Sequence, residues 1–223
     1  MPLTSWQLTR TSVILWEGDS LSDQGFPYQM LTPLWEQMRL FYNPISHPNW
    51  NGHPVLPSAG LRTPIVVNKA INGSRLSDIA SRIPGELATM AFTHVVICAG
   101  TNERTILRAT SQANIATIAA SFTTQKVLWI GPYAWGEKWP SGTNNIAGAN
   151  DTRLDETDVD IPAGLAAGYS ANSKYVSLRS TLYASLSPGP GADIDPYTVD
   201  GAHWAPPGRV AAYAIWSPSV SFT

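Results

Sequence analysis

Apolar residues along this chain gather in short runs that stop abruptly at turn formers. Ser12-Val13-Ile14-Leu15-Trp16 runs into Gly18. Pro64-Ile65-Val66-Val67-Asn68 runs into a turn at Ile71-Asn72-Gly73-Ser74. Thr93–Ala99 ends at Gly100-Thr101-Asn102-Glu103, and Lys126–Ile130 at Gly131-Pro132. Lys174-Tyr175-Val176-Ser177-Leu178 completes the series. Runs of this length, rich in β-branched and aromatic residues, predict buried strands.

Between these runs the period changes. Met30, Leu31, Leu34, Trp35, Met38 and Phe41 recur at helical spacing and predict a helix over 27–41, with Pro33 kinking it or marking its true start. A second helix is predicted over 75–87, broken near Pro84-Gly85. A third is predicted over 105–122, with Ile106, Ala109, Ala113, Ala116, Ile118 and Ala120 packing inward. Asp160 is placed to cap a helix from Pro162 to about Asn172. A short helix over 181–186 and a terminal one over 206–216 follow, while 43–63, 133–151 and 187–199 read as loops. Strands alternating with helices predict an α/β fold, a parallel sheet with helices on both faces. Five strands fit a three-layer α/β/α, flavodoxin-like order 2-1-3-4-5. With no repeat or dividing linker, one domain over 1–223 is expected.

Composition narrows the function classes. The chain has 223 residues, 43% apolar and 13% charged, with a net charge of −2. That balance gives no electrostatic case for nucleic acid or an anionic membrane. No stretch approaches a transmembrane helix. The opening Met1-Pro2-Leu3-Thr4-Ser5-Trp6 has neither a basic start nor an apolar core, so no signal peptide is read. Either a cytoplasmic protein or a secreted one with its signal removed fits. Oligomeric state leaves no mark. The single cysteine, Cys98, lies in an apolar run and reads as a small buried hydrophobe, which leaves no disulfide framework and no thiolate metal cluster. Nine tryptophans, with 18 prolines and 17 glycines, point to long shaped loops with aromatic surfaces.

Carboxyl ends of parallel strands share one edge, the edge where open α/β sheets bind ligands. Ser20, Gly73 and Asn102, far apart in sequence, are therefore expected close together. Ser20, just past the first strand, is the candidate nucleophile. A nucleophilic serine needs a base, and the base an orienting partner. Asp200-Gly201-Ala202-His203 offers both, since Asp200 lies about one helical turn before the imidazole. There are four histidines. His47 and His53 sit in a Pro-rich loop without carboxylates beside them, so no metal is expected there, and His94 opens a buried strand. His203 is the base by elimination. The backbone N–H of Gly73, the Asn102 amide and the N–H of Ser20 could meet a developing oxyanion. Read singly, Gly73 is also an ordinary turn glycine and Asn102 an ordinary cap residue.

Taken together these segments resemble the GDSL/SGNH hydrolases. Gly18-Asp19-Ser20-Leu21-Ser22-Asp23 with Gly25 is similar to their block I, Asn68 with Asn72-Gly73 to block II, Gly100-Thr101-Asn102-Glu103 to block III and Asp200-Gly201-Ala202-His203 to block V, in the family's order. Ala70 and Asn72 depart from the block II pattern, which commonly carries glycine and serine there. The competing Gly-x-Ser-x-Gly elbow of α/β-hydrolases fails, because Ser22 replaces its second glycine and Ser20 lies near the N-terminus. The resemblance implies a flavodoxin-like fold and a triad of Ser20, Asp200 and His203. It also implies an oxyanion hole of Ser20, Gly73 and Asn102.

The resulting expectation is a serine esterase acting on short-chain carboxylic esters without a cofactor. Trp50, Trp135, Trp139 and Trp204 lie in loops that could wall the site, and aromatic walls also suit sugars. A carbohydrate O-acetyl esterase is therefore the alternative. A non-catalytic glycan-binding module is the reading from another class.

Overall fold

The computed structural model describes residues 6–20, 22, 64–132, 149–179, 203 and 205–223. Among these the order is β1 (Trp6–Leu8), β2 (Val13–Gly18), β3 (Ile65–Asn68), α1 (Leu76–Leu87), β4 (His94–Cys98), α2 (Arg108–Ala120), β5 (Lys126–Ile130), α3 (Ala149–Gly168), β6 (Ser173–Val176), α4 (Pro206–Trp216) and β7 (Val220–Phe222). Strands β2 to β6 pair in parallel in the order β3-β2-β4-β5-β6, the predicted flavodoxin-like arrangement.

The central strands are buried on both faces, which is why they read as unbroken apolar runs. Side chains alternate with a period of two. Ile14, Trp16, Val96 and Leu128 face one layer, with Ala212 and Trp216 of α4 and Trp6 and Leu8 of β1. Leu15, Val95, Val127 and Trp129 face the other, where Ile79, Ile115 and Ile161 of α1, α2 and α3 pack.

Several helices differ from their sequence expectation. Helix α1 runs through Pro84 without the predicted break. Proline removes one backbone donor, but the buried stripe of Leu76, Ile79, Ala80 and Ile83 holds the helix on the sheet across that gap. Helix α2 starts at Arg108 rather than Thr105, because Thr101–Thr105 forms a separate 3₁₀ turn. Its buried face is Ser111, Ile115, Ile118 and Ala119, so of the expected inward set only Ile118 is buried. Helix α3 begins at Ala149, inside the segment predicted as a loop, and Asp160 and Pro162 lie within it. Asp160 is therefore no cap. It accepts from Arg108 Nε at 2.9 Å and Nη2 at 2.7 Å, tying α3 to the start of α2. Strand β6 ends at Val176, two residues before the predicted Leu178. The predicted helices over 27–41 and 181–186 lie outside the described residues.

One feature had no expectation. Strands β1 and β7, each three residues long, pair in parallel as a second small sheet, Trp6 opposite Val220 and Leu8 opposite Phe222. Trp6 Nε1 donates to Lys126 O at 2.9 Å, and Thr223 N to Leu8 O at 2.9 Å.

His94 is the satisfied histidine its position suggested. It is 5% exposed. Its Nε2 donates to Gln7 O at 2.7 Å and its Nδ1 meets the Thr93 hydroxyl at 2.8 Å, with Trp6 edge-on. Burial lowers its pKa to about 4, with Lys126 adding to the effect against the Gln7 bond. An unfolded imidazole titrates near 6.5. Between these values the unfolded chain binds more protons, so this stabilisation is complete above about pH 6.5 and is lost as pH falls towards 4. The shift corresponds to about 3 kcal/mol. Urea unfolding of the wild type and His94→Gln from pH 7 to pH 4 should show their stability difference change by roughly that amount. A difference that stays constant would exclude the effect.

Candidate active site

The site is built where β2, β3 and β4 end. Strand β2 finishes at Gly18, and a Cβ there would lie 2.5 Å from the Cys98 carbonyl oxygen and 3.1 Å from the Ser22 side chain. Only glycine lets the chain turn here against β4. Asp19 N donates to Cys98 O at 3.3 Å and Ser22 N to Asp19 O at 3.0 Å, which closes a turn around Ser20. Cys98 is buried, and burial, with Asp19 nearby, pushes its thiol far up, so it is no competing nucleophile.

The turn after β3 is locked to the Ser20 turn. Asn68 Nδ2 donates to Ser22 O at 2.6 Å, and Asn68 Oδ1 accepts from Ala70 N at 2.9 Å. Ile71 N donates to Gly18 O at 3.2 Å. Gly73 has φ +75°, the left-handed region that favours glycine, and apart from its chain neighbours no heavy atom lies within 4 Å of where its Cβ would be. The turn after β4 joins from the other side. Asn102, half-buried in the 3₁₀ turn, donates from Nδ2 to Ser74 O at 2.9 Å. An amide nitrogen carries two hydrogens, and this bond uses one.

Glu103 is a further part of the site that no sequence reading assigned. It is buried. Its Oε1 accepts from Leu76 N at 2.9 Å, at the start of α1, and its Oε2 from Ser111 Oγ at 2.6 Å. A buried carboxylate needs such partners, so Glu103 anchors the Asn102 turn to two helices. Buried Glu17 and its partner Arg82 were also unassigned. The available signal was a charge inside an otherwise apolar strand.

Across this edge stands His203, just before α4. Its Nε2 lies 3.1 Å from Ser20 Oγ, although 183 residues separate them. In the tautomer with its proton on Nδ1, Nε2 accepts from the serine hydroxyl. Both residues are half-buried. Asp200, the expected partner of Nδ1, lies outside the described residues, as do Trp50, Trp135, Trp139 and Trp204. The geometry thus brings together Ser20 and His203, and links the turns of Ser20, Gly73 and Asn102.

No protein-family model and no curated protein sequence matches the chain. Solved structures do. A lipase/acylhydrolase from Enterococcus faecalis superposes with a TM-score of 0.65 at 19% identity, covering 94% of this chain and 96% of that one. A GDSL-like lipase from Parabacteroides merdae superposes with a TM-score of 0.68 at 16% identity, over 95% and 96%. The fold is that of GDSL-like lipases and acylhydrolases. A catalytic mutant of an acetylxylan esterase from Geobacillus stearothermophilus shares it, with a TM-score of 0.69 at 14% identity over 100% and 98%. The GDSL-like fold thus spans nearly the whole length on both sides of each comparison.

Proposed function

We propose that the chain is a serine esterase that hydrolyses short-chain carboxylic esters through an acyl-enzyme. The observation that carries this reading is the 3.1 Å approach of His203 Nε2 to Ser20 Oγ at the carboxyl edge of a parallel sheet. His203 takes the serine proton as Oγ attacks the ester carbonyl. Charge develops on the carbonyl oxygen, and the N–H groups of Ser20 and Gly73 and the Asn102 amide hold it. His203 then protonates the leaving alcohol. Water, deprotonated by the same imidazole, releases the acid from Ser20. Asp200 holds the imidazole in the required tautomer.

An activated serine should react with a fluorophosphonate. Incubation with one and peptide mass mapping should place the phosphonyl adduct on Ser20; an unlabelled Ser20 in a chain that hydrolyses p-nitrophenyl acetate would move the nucleophile elsewhere. Asn102→Ala should lower turnover of that ester by about 10²–10³-fold with KM little changed, since its amide acts on the charged intermediate. Equal turnover would remove Asn102 from the hole.

A second reading, a carbohydrate O-acetyl esterase, is favoured by the full-length likeness to the acetylxylan esterase. Rates on acetyl, butyryl and octanoyl p-nitrophenyl esters, compared with acetate release from acetylated xylan, separate the two. Release from the polymer rivalling the small acetyl ester would favour the carbohydrate substrate. Binding of the glycan without hydrolysis of any ester would favour a non-catalytic module.

A further inference from the structure

We propose that Arg82 is a positioning residue of the oxyanion hole, tying the Gly73 turn to the strand end that carries Ser20. The inference rests on the esterase reading above.

Arg82 projects from α1 beneath the site, and its side chain is 17% exposed. Its guanidinium bonds to residues beside two of the proposed oxyanion donors, Ser74 next to Gly73 and Gly18 at the strand end before Ser20. Nη1 donates to Ser74 Oγ at 3.0 Å, next to Gly73. Nη2 donates to Gly18 O at 3.3 Å and to Glu17 Oε2 at 2.6 Å, and Nε lies 3.1 Å and 3.3 Å from the two Glu17 oxygens. Glu86, one turn along α1, lies 3.9 Å from Nε.

Stability alone does not call for this arrangement. Glu17 is fully buried, on a strand whose other inward positions are apolar. A buried ion pair is often replaceable by apolar residues of similar volume without loss of stability. What an apolar pair cannot do is hold Gly18 O and Ser74 Oγ at once. A planar fork of donors can, and a lysine ammonium cannot reproduce it. Burial and a hydrogen bond with Glu86 push the Glu17 carboxyl up, and the Arg82 guanidinium opposes this. Removing Arg82 alone would therefore leave a buried carboxyl without its cation as well as loosen the turn.

The test uses two variants for this reason. Glu17→Leu/Arg82→Met removes the buried pair together, and Arg82→Lys keeps one charge. Competent sites are counted by the fluorophosphonate end-point, so misfolded protein does not enter kcat. Both folded variants should lose kcat per titrated site, the double variant by about 10²-fold, the effect expected of a misplaced hole, with KM within about twofold. A boronic acid that mimics the tetrahedral intermediate should bind more weakly by the same factor. A merely structural role would lower the number of competent sites and leave kcat per site and boronate affinity intact. If either folded variant keeps wild-type kcat per site, the proposal is wrong. Ser20→Ala run alongside keeps the two readings apart: wild-type rates in that variant would sink the esterase reading, whereas a dead Ser20→Ala beside a fully active double variant would sink only the role of Arg82.

Discussion

Turnover of p-nitrophenyl acetate should fall by about 10⁶-fold when Ser20 is replaced by alanine. The substitution removes one oxygen and leaves the surrounding turn intact. That turn is held by backbone and Asn68 contacts, Ser22 N to Asp19 O and Asn68 Nδ2 to Ser22 O, neither of which involves the Ser20 hydroxyl. Ser20 is half-buried and fills no core position. Circular dichroism and the urea midpoint should therefore match the wild type within about 0.5 kcal/mol. Stability unchanged and activity lost would mark Ser20 as part of the chemistry rather than of the fold. An Ala variant with the parent's rate would exclude Ser20 from the chemistry.

His203→Ala should produce a loss of similar order, and the two losses should not multiply. A serine without its base and a base without its serine are nearly equally disabled, because each acts only through the other. The Ser20→Ala/His203→Ala double variant should be about as slow as the slower single variant, measured above the buffer blank. Labelling of Ser20 by a fluorophosphonate should also slow sharply in His203→Ala, since the hydroxyl then has no acceptor for its proton. Unchanged labelling would mean that the 3.1 Å contact is not a catalytic one.

The edge that carries these residues was legible because parallel strands buried on both faces are continuous apolar runs, and the runs stop where the sheet stops. That alone brings the turns after Gly18, Asn68 and Cys98 to one side. Helix faces were harder. Alanine packs or faces water with little contrast, so the alanines of α2 gave no phase. The buried position that would have marked the phase is a serine, kept there by its bond to Glu103. In α3 the buried stripe runs through Leu154, Thr157, Ile161 and Leu165. Thr157 hides it, because its hydroxyl is satisfied by Arg153 O on its own helix at 2.9 Å. Pro162 then resembles a helix start although it lies inside one. Glu17 directly follows the apolar run that ends at Trp16, but nothing in the sequence pointed to its partner, 65 residues on. Strands of three residues, such as β1 and β7, have no periodicity to read.

The pairing of β1 with β7 also has a mechanical side. The Thr223–Leu8 hydrogen bond spans 215 residues, and the two strands run in the same direction. Tension applied ahead of Trp6 and beyond Phe222 would draw these strands past one another lengthwise. The ladder contacts are then loaded together, rather than opened one after another as in a peeled hairpin. Under such a pull this small parallel sheet would be loaded in shear at the point where the force enters the fold.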